Sequence, residues 1–422
     1  MKIAINDTFV TDNTSECESG CYFLQTKSNA KYKAPNNVHL INVHECKKLL
    51  NINENIKLIG ITGTNGKTTT AAAIYETLLA LGYKAGVCGT RGAFVNHKKI
   101  DAKSLTTSQI LKTLEYLKIA SEQECEYFIM EVSSHAIAQD RIEGLNFDLK
   151  IFTNLSQDHL DYHKSMQEYA NVKNSFLSDD SAKIINIDDK YVKFNHTNAI
   201  TYALKNNAII KANEISLNSG IQATLEVLGE SVKFNSSLQG EFNLYNLMAA
   251  FGAVKILTNQ NAQQISNALA KFNGVEGRMQ VVSQNPLVIV DFAHTPDGME
   301  KVLNALRHLN LVVVFGAGGD RDKTKRPLMG QIAQKYARVC VVTSDNPRSE
   351  EPMSIIDEIL SGMDKTNTIA NPDRKEAIKI GLNKLKPNEA LVILGKGDED
   401  YQEINGIKYP FSDEKVVLEL LN

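Results

Sequence analysis

Apolar and polar positions along this chain follow two periods, and the change from one to the other marks most of its elements. From residue 56, short continuous apolar runs alternate with amphipathic stretches, the pattern of a parallel sheet flanked by helices. The run IKLIGITG (56–63) predicts a strand, and KTTTAAAIYETLLALG (67–82) a helix stopped by Gly82, because glycine readily takes the left-handed conformation of a helix end. YFIMEVSS (127–134), LKIFTNL (149–155) and KIINID (183–188) read as further strands, with SQILKTLEYLKIA (108–120) as a helix between them. Residues 199–240 break the alternation. Their short strands and Asn/Gly/Ser turns, as in LNSGIQATLEVLGESVKF, predict an antiparallel appendage before helical spacing returns at 243–257.

A second alternation begins near residue 281, with VVSQNPLVIVDFAH, a helix from Pro296, the strand LVVVFGAG (311–318), a helix from Pro327, ARVCVVTSD (337–345) and ALVILGKG (390–397). This is a Rossmann-like unit, and Gly274 to Arg278 is the expected hinge before it. The expected fold is therefore α/β in three domains. These are a small N-terminal α/β unit at 1–50, a central parallel sheet with its appendage at 51–277, and the C-terminal Rossmann-like unit at 278–422.

Composition narrows the setting. Hydrophobic residues make up 43%, yet none of the apolar runs is long enough to span a bilayer. The opening MKIAINDTFVTDN lacks the basic region and apolar stretch of a secretory signal, so a cytoplasmic place is expected. Cys17, Cys21, Cys46, Cys88, Cys125 and Cys340 are scattered as in a reducing compartment. Cys17, Cys21, His44 and Cys46 match no common zinc spacing, and free thiols are expected. A formal charge of −3 without a basic block gives no reason to expect nucleic acid or a membrane surface as partner.

The strongest chemical signal is Gly63-Thr64-Asn65-Gly66-Lys67-Thr68, set between a predicted strand and helix. Glycines let backbone N–H groups turn toward phosphate oxygens, the lysine reaches the terminal phosphates, and the threonine hydroxyl suits magnesium. The loop is shorter than the general GxxxxGK[ST] pattern, because Ile61 stands where its first glycine belongs. It implies a nucleotide and leaves the reaction open.

TGTNGKTTT resembles the Mur ligases and their folylpolyglutamate synthetase relatives, in which this shorter loop is usual. Motifs in the same order extend the resemblance: EVSSHAIAQDR (131–141), FTNLSQDHLDYH (152–163), Lys173 with Phe176, NIDD (186–189), EFNLYN (241–246), GVEGRMQ (274–280), VDFAHTPD (290–297), GAGGDRDKTKRPLMG (316–330), DNPR (345–348) and GKGDEDYQ (395–402). The resemblance implies an ATP-dependent ligase that activates a carboxylate as an acyl phosphate and joins an amino acid to a UDP-linked peptidoglycan precursor, working as a monomer. Gly63, Thr64, Asn65, Gly66, Lys67, Thr68 and Thr69 would hold ATP, helped across the cleft by Arg278 and Asp291. Magnesium would lie on Thr68, Glu131, His159 and a carbamoylated Lys173. Lys67, Glu131, His159 and Lys173 would form the catalytic set, and Thr106, Thr107, Ser133, Gln139 and Arg141 would bind the UDP-muramoyl-dipeptide. Arg321, Asp345, Asn346, Arg348, Gly395 and Glu399 would hold the incoming amino acid. In the family DNPR accompanies members that add meso-diaminopimelate, whose extra carboxylate a guanidinium can meet bidentately.

Each residue also has a plainer reading. Glu131 could face solvent or cap a helix, and His159 could be an ordinary hydrogen-bonded loop residue. Lys173 lies about two turns into a helix announced by the capping box Ser165 to Glu168 and could be solvated. Thr106 or Thr107 could be a helix N-cap, Arg278 and Asp291 a surface ion pair, and Arg348 a partner of Glu350 or Glu351. GKGDE replaces the family's usual GKGHE at Asp398, and Asp12-Asn13-Thr14 ahead of Gly20-Cys21-Tyr22-Phe23 replaces the family's DSR-like uridine motif in an abbreviated first domain. A lysine-adding ligase, a folylpolyglutamate-type synthetase and a nucleotide-dependent regulator remain the alternatives.

Overall fold

The computed structural model describes residues 1–102, 105–217 and 220–421, which form four sheets. The largest is built on the apolar runs that begin at residue 57. In spatial order its parallel centre is Ala199–Ala203, Ala182–Asn186, Leu149–Phe152, Lys57–Thr62, Tyr127–Glu131 and Ala85–Gly89. Strands buried on both faces need continuous apolar sequence, and Tyr127–Glu131 is buried at every position. One face packs on the helices Lys67–Ala80 and Glu241–Leu257, the other on Ile110–Glu122 and Met166–Ser175.

The predicted appendage is corrected in one respect. Ile210–Ser216 still pairs parallel to Ala199–Ala203, and antiparallel pairing begins only with Ile221–Val227 and Glu230–Ser236. Tyr202 explains the continuity, because its ring is fully buried in the central core and its hydroxyl donates to the Phe152 carbonyl at 3.2 Å. The expected turn at Asn218 and Ser219 lies outside the described residues. At the opposite edge, Gly92–Val95 and Lys98–Asp101 add an antiparallel pair that the apolar pattern did not announce.

The C-terminal sheet runs Gln280–Gln284, Leu287–Asp291, Glu389–Leu394, Asn310–Phe315, Ala337–Val342 and Thr368–Ala370, parallel except for the first pair. Pro296 is the first residue of the helix Pro296–Ala305, as proline's fixed φ favours. The next helix, Lys325–Tyr336, starts two residues before Pro327. The N-terminal unit has four short strands and the helix Val43–Leu49, opened by a capping box between Asn42 and Glu45. All six cysteines are free. Among the described residues no helix is long and apolar enough to cross a membrane.

Candidate active site

The phosphate loop stands where the sequence places it, between the strand Lys57–Thr62 and the helix Lys67–Ala80. Gly66 is left-handed at φ +88°, and a Cβ there would lie 2.2 Å from the Asn246 side-chain oxygen. Only glycine fits that turn. Lys67 folds over the loop and donates to the carbonyls of Gly63 and Thr64, both at 2.8 Å. The Asn65 N–H donates to the Asn154 side-chain oxygen at 3.1 Å, and Thr68 and Thr69 are buried in the first helical turn.

Glu131 is neither solvent-facing nor a helix cap. It is 2% exposed, and its carboxylate accepts from the Thr90 N–H and the Thr68 hydroxyl, each at 3.0 Å. Lys173 is not solvated either. It lies in the last turn of Met166–Ser175, is 1% exposed, and donates to Gly63 O at 2.9 Å and Thr62 Oγ1 at 3.4 Å. Burial, aided by the Lys67 charge, holds its ammonium well below the ordinary lysine range. His159 is in the left-handed region at φ 55°. Burial pushes its imidazole down to about 3, against the pull of Asp158. Asp158 is itself held below its ordinary value by His159, Lys325 and His294, although burial opposes this. The pair is thus an ionised carboxylate beside a neutral imidazole that keeps a lone pair.

The proposed acceptor residues form a connected network. The Thr107 hydroxyl donates to Glu131 O and accepts from Ser133 N, both at 2.9 Å, and Arg141 donates to Thr107 O at 3.0 Å and to the Gln139 side chain. The Arg141 Nε is buried without a partner. Neither Thr106 nor Thr107 caps a helix, since the helix Ile110–Glu122 starts after Gln109. Thr106 instead accepts from Thr90 Oγ1 at 3.2 Å.

Across the cleft, Arg278 and Asp291 are not a surface pair. The Arg278 guanidinium stacks 4.1 Å from the Phe292 ring centroid, and buried Asp291 accepts from Met279 N and Ala293 N at 2.7 Å. Burial raises the Asp291 pKa against the pull of Arg278. Further along, Asn346 donates to Glu399 at 2.8 Å, and the fully buried Lys396 donates to both at 3.0 Å. Gly395 lies against Asp345, where a Cβ would come within 2.4 Å of its carboxylate. Arg348 does not pair with Glu350 or Glu351. It donates to Gly319 O at 2.7 Å and meets the Glu403 carboxylate at 3.3 Å, while Glu350 is taken by Arg326 and Lys323.

One cleft of about 1080 Å³ brings these groups together, with Lys67, Glu131, His159, Arg278, Asp291, Arg321, Arg348 and Glu399 all on its wall. Gly63, Thr107, Ser133, Gln139, Arg141 and Lys173 do not line it and join through the contacts just described. Sequence reasoning quoted EFNLYN (241–246) but gave no role to Asn243 and Asn246, two cleft residues one turn apart on a largely apolar, buried helix. Their signal was present, because buried asparagines at i and i+3 in such a helix call for a reason. Lys396, Asp158 and Asp297 were also missed.

Residues 61–254 match the family model for the Mur ligase middle domain, and 277–397 that for the Mur ligase, glutamate ligase domain. The chain belongs to the Mur ligase family. It is 47% identical over 421 residues to the UDP-N-acetylmuramoyl-L-alanyl-D-glutamate–2,6-diaminopimelate ligase of Wolinella succinogenes, covering 98% of this chain and 96% of the relative. A solved structure of a ligase with that same description superposes with a TM-score of 0.68 at 30% identity, covering 98% of this chain and 94% of that one. Folylpolyglutamate synthase of Mycobacterium tuberculosis superposes at 0.69 with 16% identity, over 83% of this chain and 90% of its own, and shares the fold alone.

Proposed function

We propose that this protein is the ATP-dependent ligase that adds meso-diaminopimelate to UDP-N-acetylmuramoyl-L-alanyl-D-glutamate in peptidoglycan precursor synthesis. The observation that carries the reading is that the phosphate loop and the DNPR loop line one cleft, with the acceptor network joined to its wall through Thr106 and Glu131, in a chain similar over almost its whole length to a ligase of that description. The acceptor's terminal carboxylate attacks the γ-phosphorus of ATP, ADP leaves, and an acyl phosphate forms. The amine of diaminopimelate then attacks the acyl carbon, phosphate leaves, and the amine gives up its proton. Lys67 and Arg278 offset the negative charge that gathers when carboxylate and triphosphate meet. Arg141, Gln139, Ser133, Thr106 and Thr107 hold the acceptor, while Arg348 and Arg321 meet the free carboxylate of the amino acid and Glu399 its ammonium group.

Magnesium would be held by Thr68, Glu131, His159 and the carbamate of Lys173, and when bound it neutralises phosphate charge. The donor chemistry fits: Thr68 and Glu131 already lie within hydrogen-bond distance, His159 is a neutral imidazole, and Lys173 is a buried amine biased to the unprotonated form that carbon dioxide attacks. The reading places the enzyme in the cytoplasm as a monomer. Mass spectrometry of the product from UDP-muramoyl-dipeptide, ATP and a mixture of amino acids tests it. The diaminopimelate adduct is expected; a dominant lysine adduct, or glutamate addition to a folate acceptor, would overturn it.

A further inference from the structure

Three successive residues in the loop after the strand Leu149–Phe152 are held by two parts of the C-terminal sheet unit, Asp297 and the segment 322–325. Ser156 donates its hydroxyl to Asp297 Oδ2 at 2.9 Å, Gln157 donates to Asp322 at 3.1 Å and Thr324 at 3.2 Å, and Asp158 lies 3.9 Å from the Lys325 ammonium. The same Asp297 oxygen accepts from the Asn65 side chain of the phosphate loop at 2.9 Å. Asp297 thus ties together two segments of the central unit from across the cleft. Those segments also bond to each other, through Ser156 N to Thr64 Oγ1 at 3.1 Å and Thr64 Oγ1 to Ser156 O at 3.2 Å.

We infer, on the ligase reading above, that Asp297 is a positioning residue for phosphoryl transfer, fixing the phosphate loop and the loop that carries His159 when the two units close on each other. A carboxylate beside a phosphate loop repels the incoming triphosphate, so its value lies in accepting hydrogen bonds and not in binding ATP. It is well placed to do so. It lies in the first turn of Pro296–Ala305, a helix start made rigid by Pro296 and the Thr295 cap, and Lys301 one turn on steadies the same oxygen at 2.8 Å. The segment it holds needs support, because His159 has a left-handed backbone that a non-glycine residue keeps only where its surroundings over-determine it. A surface ion pair between Asp297 and Lys301 would stabilise the helix slightly and leave turnover untouched.

The test is steady-state ligation kinetics, titration with a fluorescent ATP analogue, and hydrogen exchange of residues 154–159. Asp297→Ala is expected to lower kcat by about tenfold or more and to speed exchange in that segment, while affinity for the analogue changes by less than about threefold. Asp297→Asn keeps an acceptor oxygen and should recover most of kcat. Ser156→Ala should add little to Asp297→Ala, since both remove one shared bond, and it carries the test from the other side if Asp297→Ala does not fold. Full activity with unchanged exchange in Asp297→Ala would overturn the inference, as would Asp297→Asn being as impaired as Asp297→Ala, or fully multiplicative effects of the two alanine variants. If the native protein fails to ligate, the functional reading falls, and the exchange data still decide whether the clasp exists.

Discussion

Lys67 and Lys173 donate to the same carbonyl, that of Gly63, from two helices on opposite sides of the phosphate loop. Two ammonium groups on one acceptor repel, and among the described residues no carboxylate bonds to Lys173, so that only the weaker pull of Asp158 opposes the burial. On the reading proposed above, this amine is the one that reacts with carbon dioxide. Since only the unprotonated amine reacts and protonation reverses the step, activity should hold on the alkaline side and fall as pH drops through the depressed pKa of the amine. Lys173→Ala should lose about 10²-fold in kcat, the scale of removing one preorganised electrostatic contact, with partial rescue by small carboxylic acids. An active native protein whose intact mass carries no carbamate would count against it. Arg348→Lys should raise KM for meso-diaminopimelate by about tenfold or more, because an ammonium cannot reproduce the bidentate fork, and unchanged KM would remove Arg348 from the site. The sequence made both residues visible through motif order. It could not show that Lys173 is buried or that Glu403 braces Arg348, since the partners lie 110 and 55 positions away along the chain.

Among the elements, the helices Arg374–Asn383 and Asp413–Leu421 are joined by an ion pair with both side chains fully buried, Arg374 to Asp413 at 2.7 Å. Arg374 also donates to Ser344 O and Leu394 O, just before Asp345 and Gly395 of the proposed amino-acid site. Breaking one partner of such a pair leaves a buried charge uncompensated, so Asp413→Asn should destabilise the protein by about 3–5 kcal/mol. A urea midpoint shifted by much less would show that water reaches the arginine. Strands and helices were legible because burial on both faces demands continuous apolar runs, as in Tyr127–Glu131. The parallel pairing of Ile210–Ser216 was not, because only its start is buried, where Ile210 and Ala212 join Tyr202 in the central core, while most of the rest is exposed as in an edge hairpin.

Over the whole molecule, the three expected α/β units correspond to the three larger of the four sheets, and most of the residues marked along the chain line the cleft between the second and third, the others reaching it through hydrogen bonds. What the sequence could not convey is how those units hold each other. Asn65 and Asp297 are 232 positions apart, and no local pattern reports such a contact. The central claim is that this cleft joins diaminopimelate to a carboxylate activated as an acyl phosphate. It is tested most directly by supplying UDP-muramoyl-dipeptide labelled with oxygen-18 in its acceptor carboxylate, together with ATP and meso-diaminopimelate, and measuring the isotope in the phosphate released. One labelled oxygen in each phosphate formed with the tripeptide product is the predicted result, and unlabelled phosphate beside that product would contradict the mechanism.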